Sequence, residues 1–196
     1  MSYLRSVPHD ERDYPPFSAI KAQFGFIPNF YRAQTMRTDL IEAEISLVEA
    51  ILIKEGALTR RHKEYVFLVC SAANLSTYCV TAHCEIVRLL GLKGPEPEEI
   101  ALDHDHADIS EADKALLDFV RKLTLRPADF GLRDVEGLRA HGFSDEQILE
   151  AVVVMGLAKF ANFVAFGLGT LPDFDASRIN LPSGAAGREP SGLPAG

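Results

Sequence analysis

The stretch STYCVTAHCE, residues 76–85, places Cys79, His83 and Cys84 within one short segment. In a helix starting near Ser76, Cys79, His83, Ile86 and Leu90 fall at i, i+4, i+7 and i+11 and share one face. The apolar far end of that face turns it inward. Cys79 would lie in the first turn, where unpaired amides and the positive end of the helix dipole favour an anion and lower a thiol's pKa. One turn later, His83 can take the thiol proton directly or through a water. These are the two requirements of thiolate chemistry at neutral pH.

A third residue completes the set. Glu64 opens a segment, HKEYVFLVCSAA, whose residues 65–73 are apolar apart from Ser71. A carboxylate there is costly unless paired. A facing histidine would satisfy it, and the carboxylate would orient the ring and raise its basicity. The chain reverses between the two helices, so Glu64 and His83 can meet in an antiparallel pair. Read alone, Glu64 could equally pair with Arg60, Arg61 or Lys63. Cys79 alone would more often be a small buried hydrophobe, and His83 alone an interface histidine. Cys70 and Cys84 read as packing residues, and His62 as an exposed residue near a helix start.

Glu64, eleven intervening residues, then SxxCxxxH at Ser76, Cys79 and His83 resembles the motif Glu-x11-Cys-x-x-Cys-x3-His of the alkylhydroperoxidase D-like / carboxymuconolactone decarboxylase family. The segments GFIPNFYRA (25–33), SAANLSTYCVTAH (71–83), SEADKALLDFVRKLT (110–124) and GFSDEQILEAVVVMG (142–156) are similar to its peroxidase-related branch. The similarity covers roughly residues 15–172. It implies an all-helical fold, assembly into dimers or larger rings, and thiol-dependent reduction of hydroperoxides. Cys79 matches the attacking cysteine, and His83 with Glu64 match its proton relay. The family's first cysteine, which resolves the sulfenic acid as a disulfide, is replaced by Ser76. Cys84, five residues from Cys79, points roughly 140° away on a helix and is a poor bridging partner. Recycling would then need an external thiol, Cys70 or another subunit. Ser76 itself can cap the helix by bonding the amide of residue 79, or bond the thiolate.

The rest of the chain must position these groups. Its 196 residues suffice for one domain, placed at 1–180 with an N-terminal arm; they are 47% apolar and 24% charged, as in a globular protein. The net charge of −8, with scattered basic residues, disfavours nucleic acid and anionic membrane surfaces. No apolar run reaches the ~18 residues of a membrane span, and the polar start MSYLRSVPHDERDYPP lacks the core of a signal peptide. The cytoplasm is the default compartment, and three cysteines are too few for a disulfide scaffold.

The class is all-α. A proline-rich arm runs to about residue 30. A helical stripe at 40, 41, 45, 47, 48, 51 and 52 predicts a helix over 38–55, stopped by Gly56. Thr59 and Ser76 open the next two helices, the second ending before Gly91. Residues 92–109 read as an acidic connection. Ser110 opens a helix that Pro127 interrupts, a short helix follows near 131–140, and Ser144 caps a long apolar one. The segments from Thr59 and from Ser144 echo each other, with Glu64 and Glu150 early in each, which raises a possible internal duplication. From Leu181 onward the Gly/Pro/Ser-rich tail, 181–196, reads as disordered.

Two side readings remain. Asp103-His104-Asp105-His106 reads as a solvated linker rather than a metal site. Phe160, Phe163 and Phe166 read as core or subunit contacts. No metal, haem or flavin is indicated. The expected partners are a hydroperoxide, an external thiol reductant and further copies of the chain. The alternatives are a decarboxylase- or lactone-acting enzyme, which need not use a cysteine pair, and a non-catalytic redox sensor or oligomeric scaffold.

Overall fold

The structure, a computed structural model, describes residues 2–4 and 14–181; the tail expected to be disordered lies outside these residues from 182 onward, as does most of the arm's beginning. Every regular element among the described residues is helical. Helix α1 (Pro15–Phe24) and the single turn α2 (Asn29–Arg32) lead into α3 (Thr38–Val48), which continues as a π-helical turn over Glu49–Ile53. Then come α4 (Arg60–Ala73), α5 (Thr77–Leu89), α6 (Pro97–Asp103), α7 (Glu111–Leu125), α8 (Leu132–Ala140) and α9 (Asp145–Leu168).

Helix α4 is the axis of the fold. Ten consecutive residues, Lys63 to Ala72, are buried, so it is covered on all sides, by α5, α6, α7 and α9. Thr59 caps it by accepting from the His62 amide, and Ser144 caps α9 in a capping box with Gln147. Tyr14, Phe17, Ile20, Ile27 and Ile41 form a smaller core that fastens α1 to α3.

The turn from α4 to α5 sets the register of the candidate site. The Ser76 amide donates to Ser71 O and the Leu75 amide to Ala72 O, both at 2.9 Å. This is the Schellman pattern, with Leu75 in the left-handed region at φ 63° where glycine is usual. The strain of an L-residue there is on the order of 1 kcal/mol, and it is held by the two buried helices that the turn joins. On the opposite side, the Glu150 carboxylate of α9 accepts from the Ala57 and Leu58 amides at 2.9 and 2.8 Å. A Cβ on Gly56 would collide with that carboxylate, which explains a glycine in this loop.

Three sequence expectations change. The acidic connection over 92–109 contains α6: Pro97 starts it, Glu98 and Glu99 complement its N-terminal dipole, and Pro97, Ile100 and Ala101 are buried. His62 is not exposed; its Nε2 meets Asp113 Oδ1 at 2.9 Å, tying α4 to α7. Helix α9 is long and apolar enough to cross a membrane by length and composition. Its inner face, including Ile148, Ala151, Val154, Met155 and Ala158, is packed into the core instead.

Candidate active site

Helices α4 and α5 place Glu64 and His83 in direct contact. Glu64 is fully buried, and its Oε2 lies 2.7 Å from His83 Nδ1. Its Oε1 accepts from Arg60 Nε at 2.7 Å. Full burial alone would raise the Glu64 pKa, but the neighbouring His83 and Arg60 outweigh it and hold the carboxyl below its ordinary value. An ionised carboxylate only accepts, so His83 donates to it from Nδ1, which leaves Nε2 as the ring nitrogen free to face the cavity's chemistry. Phe67, one turn after Glu64, stacks on the His83 ring with centroids 3.6 Å apart. The sequence left open whether Glu64 pairs with a histidine or with Arg60; the carboxylate bridges both.

His83 and Cys79 line one cavity of about 460 Å³. Ile86 and Leu90 line it too, so the four residues predicted to share a face of α5 do so. The remaining wall is mainly aromatic and aliphatic, with Phe30, Tyr31, Phe67 and Tyr78 among its members. The π-helical turn after α3 delivers Leu52 and Ile53 to the same wall. Cys79 is the one free cysteine among the described residues that lines this cavity; Cys70 and Cys84 are buried in the same core without lining it.

The thiol does not have the lowered pKa that its place at the helix head suggested. Cys79 is 3% exposed, and burial pushes its pKa up to about 11; the Ser76 hydroxyl and the Asn162 side chain beside the sulfur pull it back only in part. Desolvation therefore outweighs these two neighbours. Burial likewise raises Cys70, and raises Cys84 to about 12. No hydrogen bond joins Cys79 to His83 among the described residues, so the thiol and the ring meet through the cavity rather than as a preformed pair. Ser76 does not make the predicted cap bond; its buried hydroxyl has no hydrogen-bond partner of good geometry.

Two polar groups at the site were missed. Asn162 on α9 is 1% exposed, donates to Ser71 Oγ at 3.0 Å and accepts from Asn74 Nδ2 at 2.8 Å, which fixes its amide beside Cys79. Glu44 on α3 is 4% exposed and lines the cavity. Both signals were available: each is a polar residue at helical spacing on an apolar face, Glu44 between Ile41 and Val48 and Asn162 between Ala158 and Ala165.

Away from the cavity, His104, Asp105 and Asp118 bring their ligand atoms within 4.8 Å of one another. His104 is buried against Asp118 rather than solvated, and Arg121 already bonds both carboxylates, at 2.8 and 2.6 Å. The cluster is an ion-pair network closing α6 onto α7.

No protein-family profile and no curated protein matches the sequence. Solved structures do. A peroxidase-related AhpD-core protein from Ralstonia eutropha superposes with TM-score 0.80 at 27% identity, covering 88% of this chain and 92% of that one. A peroxidase-related protein from Silicibacter superposes with TM-score 0.78 at 26% identity, over 86% and 88%. The debrominase Bmp8, in complex with 2,3,4-tribromopyrrole, shares the fold with TM-score 0.75 at 19% identity, over 91% and 96%, so this fold serves more than one activity. The chain therefore has an AhpD-like fold and is similar to these two peroxidase-related structures.

Proposed function

We propose that the protein reduces hydroperoxides with Cys79 as nucleophile and His83 as its base, with Glu64 orienting the ring and raising its basicity. The observation that carries this reading is the 2.7 Å bond between Glu64 and His83 in the wall of the cavity that also holds Cys79. A thiol with a pKa of about 11 is almost wholly protonated at pH 7. Forming its thiolate unaided would cost roughly 5 kcal/mol at about 1.4 kcal/mol per pKa unit. Attack is therefore coupled to proton transfer onto His83, whose imidazolium is stabilised by the buried Glu64 carboxylate.

The sulfur attacks the terminal peroxide oxygen. An S–O bond forms, the O–O bond breaks, the sulfur becomes a sulfenic acid and the hydroperoxide becomes an alcohol. Ser76 offers no second thiol to condense with that sulfenic acid. Two equivalents of an external thiol restore Cys79 and leave as a disulfide with one water. This reading places the protein in the cytoplasm, where thiols are kept reduced. The exposed apolar stripe of α9, Leu149, Val152, Val153, Phe160 and Phe163, supports assembly with further copies of the chain.

Hydroperoxide consumption in the presence of excess dithiothreitol tests the proposal. Many turnovers per Cys79, lost in Cys79→Ser, are expected. One equivalent consumed with no recycling favours the stoichiometric redox sensor, the reading that Ser76 favours. Full activity of Cys79→Ser on a lactone acid favours a decarboxylase-type enzyme.

A further inference from the structure

One acidic group in the cavity wall has no part in this relay. Glu44 sits on the buried face of α3, and its Oε2 accepts from Gln34 Nε2 at 2.9 Å. No lysine, arginine or histidine lies within ion-pair distance of it among the described residues. The titratable and charged groups around the same cavity are Tyr31 from α2, Arg60 from α4, and Tyr78, Cys79 and His83 from α5. Arg60 is engaged by Glu64. Burial pushes the Glu44 pKa up to about 7, and the single bond from Gln34 offsets this only in part. The site thus holds two carboxyl groups in opposite states: Glu64 stays ionised between Arg60 and His83, while Glu44 keeps its proton up to neutral pH. Such a separation of states divides base-side from acid-side duties.

The rest of the wall limits what the cavity takes. Phe24, Phe30, Val48, Leu52, Ile86 and Leu157 offer an apolar surface, and a volume of about 460 Å³ suits a ligand the size of an aryl or branched alkyl group. Hydrogen peroxide would leave most of that surface uncovered.

Building on the peroxide reading above, we propose that Glu44 is a catalytic general acid that protonates the leaving oxygen of an apolar organic hydroperoxide bound in this cavity. An alkoxide is a poor leaving group unless a proton arrives as the O–O bond breaks. His83 is then occupied with the proton of the thiol. As the Cys79 sulfur bonds the terminal oxygen, the proton of Glu44 moves to the inner oxygen and the alcohol departs. The step leaves a sulfenic acid, a His83 imidazolium and a Glu44 carboxylate. Transfer of one proton from His83 to Glu44 through water restores both groups.

The test compares leaving groups. Single-turnover oxidation of Cys79 is followed at saturating oxidant and pH 6, with cumene hydroperoxide, which must expel an alcohol, and with perbenzoic acid, which expels a stable carboxylate. The expected penalty of Glu44→Gln is about a hundredfold with cumene hydroperoxide and at least tenfold smaller with perbenzoic acid. Equal penalties, or none with cumene hydroperoxide, overturn the assignment. In the wild type the cumene hydroperoxide rate also loses the Glu44 acid above about pH 7, giving a falling limb that Glu44→Gln lacks; a wild-type rate still rising at pH 9 overturns it independently of any variant. A wild-type Cys79 that neither oxidant touches overturns the peroxide reading and this one together. Oxidation by both with no dependence on Glu44 overturns only this one.

Discussion

Phe67 lies flat against the His83 imidazole, with ring centroids 3.6 Å apart and planes inclined by 19°. It follows Glu64 by three residues, so one turn of α4 supplies both the carboxylate that fixes Nδ1 and the surface that fixes the ring plane. Replacing Phe67 by Leu keeps the site apolar but lets the ring tilt. Cys79 oxidation is expected to slow by about tenfold, an orientation effect, while urea unfolding shows a loss of about 1–2 kcal/mol. An unchanged rate shows that Glu64 alone orients the ring.

Glu64→Gln removes the charge but keeps the shape. Thiol oxidation is expected to fall by about a hundredfold, and stability at pH 7 by about 1–3 kcal/mol, because Arg60 loses its ionised partner. Because the folded-state pKa of Glu64 is depressed, its stabilisation is present above the unfolded carboxyl value of 4.5 and is lost as pH falls through the folded value. The stability gap between wild type and variant should therefore narrow on acidification. A gap of constant size from pH 7 to pH 3 contradicts the ionised pair.

The sign is opposite for Glu44. Its folded pKa, about 7, lies above the unfolded 4.5, so between those values the native state holds a proton that the unfolded chain has released. Stability falls as pH rises through this window, by up to roughly 3 kcal/mol at about 1.4 kcal/mol per unit. Glu44→Gln removes this dependence. Urea midpoints measured from pH 4 to 8 should show the variant gaining on the wild type across the window. Parallel curves contradict a neutral Glu44.

Much of the site was legible because a helix repeats. Cys79, His83, Ile86 and Leu90 could be placed on one face from spacing alone, and all four line the cavity. Glu64 was legible as a carboxylate in an apolar helix that needed a partner. The thiol's pKa was not, because it depends on what covers the head of α5, and α9 reaches that point from far along the chain. Glu44 was overlooked although it interrupts the apolar face between Ile41 and Val48; a stripe drawn from apolar residues alone passes over the polar residue within it. Helix α6 was hidden in the same way, its charged first turn and the DHDH run concealing the buried Pro97, Ile100 and Ala101.

Phe163 is 73% exposed on the outer stripe of α9. If that stripe joins copies of the chain, Phe163→Glu places a charge within the contact, and burying it unpaired costs several kcal/mol. Light scattering at micromolar protein is expected to show a dimer or larger assembly for the wild type and a smaller species for the variant. A monomeric wild type contradicts the oligomer.

The central claim is that His83 takes the proton of a buried thiol that is not acidic by itself. Peptide mass spectrometry after exposure to one equivalent of organic hydroperoxide tests this most directly. The predicted result is one added oxygen, or its trapped sulfenic acid adduct, on Cys79 alone, and none in His83→Ala. Equal oxidation of Cys70, Cys79 and Cys84, or unchanged oxidation of Cys79 without His83, would contradict it.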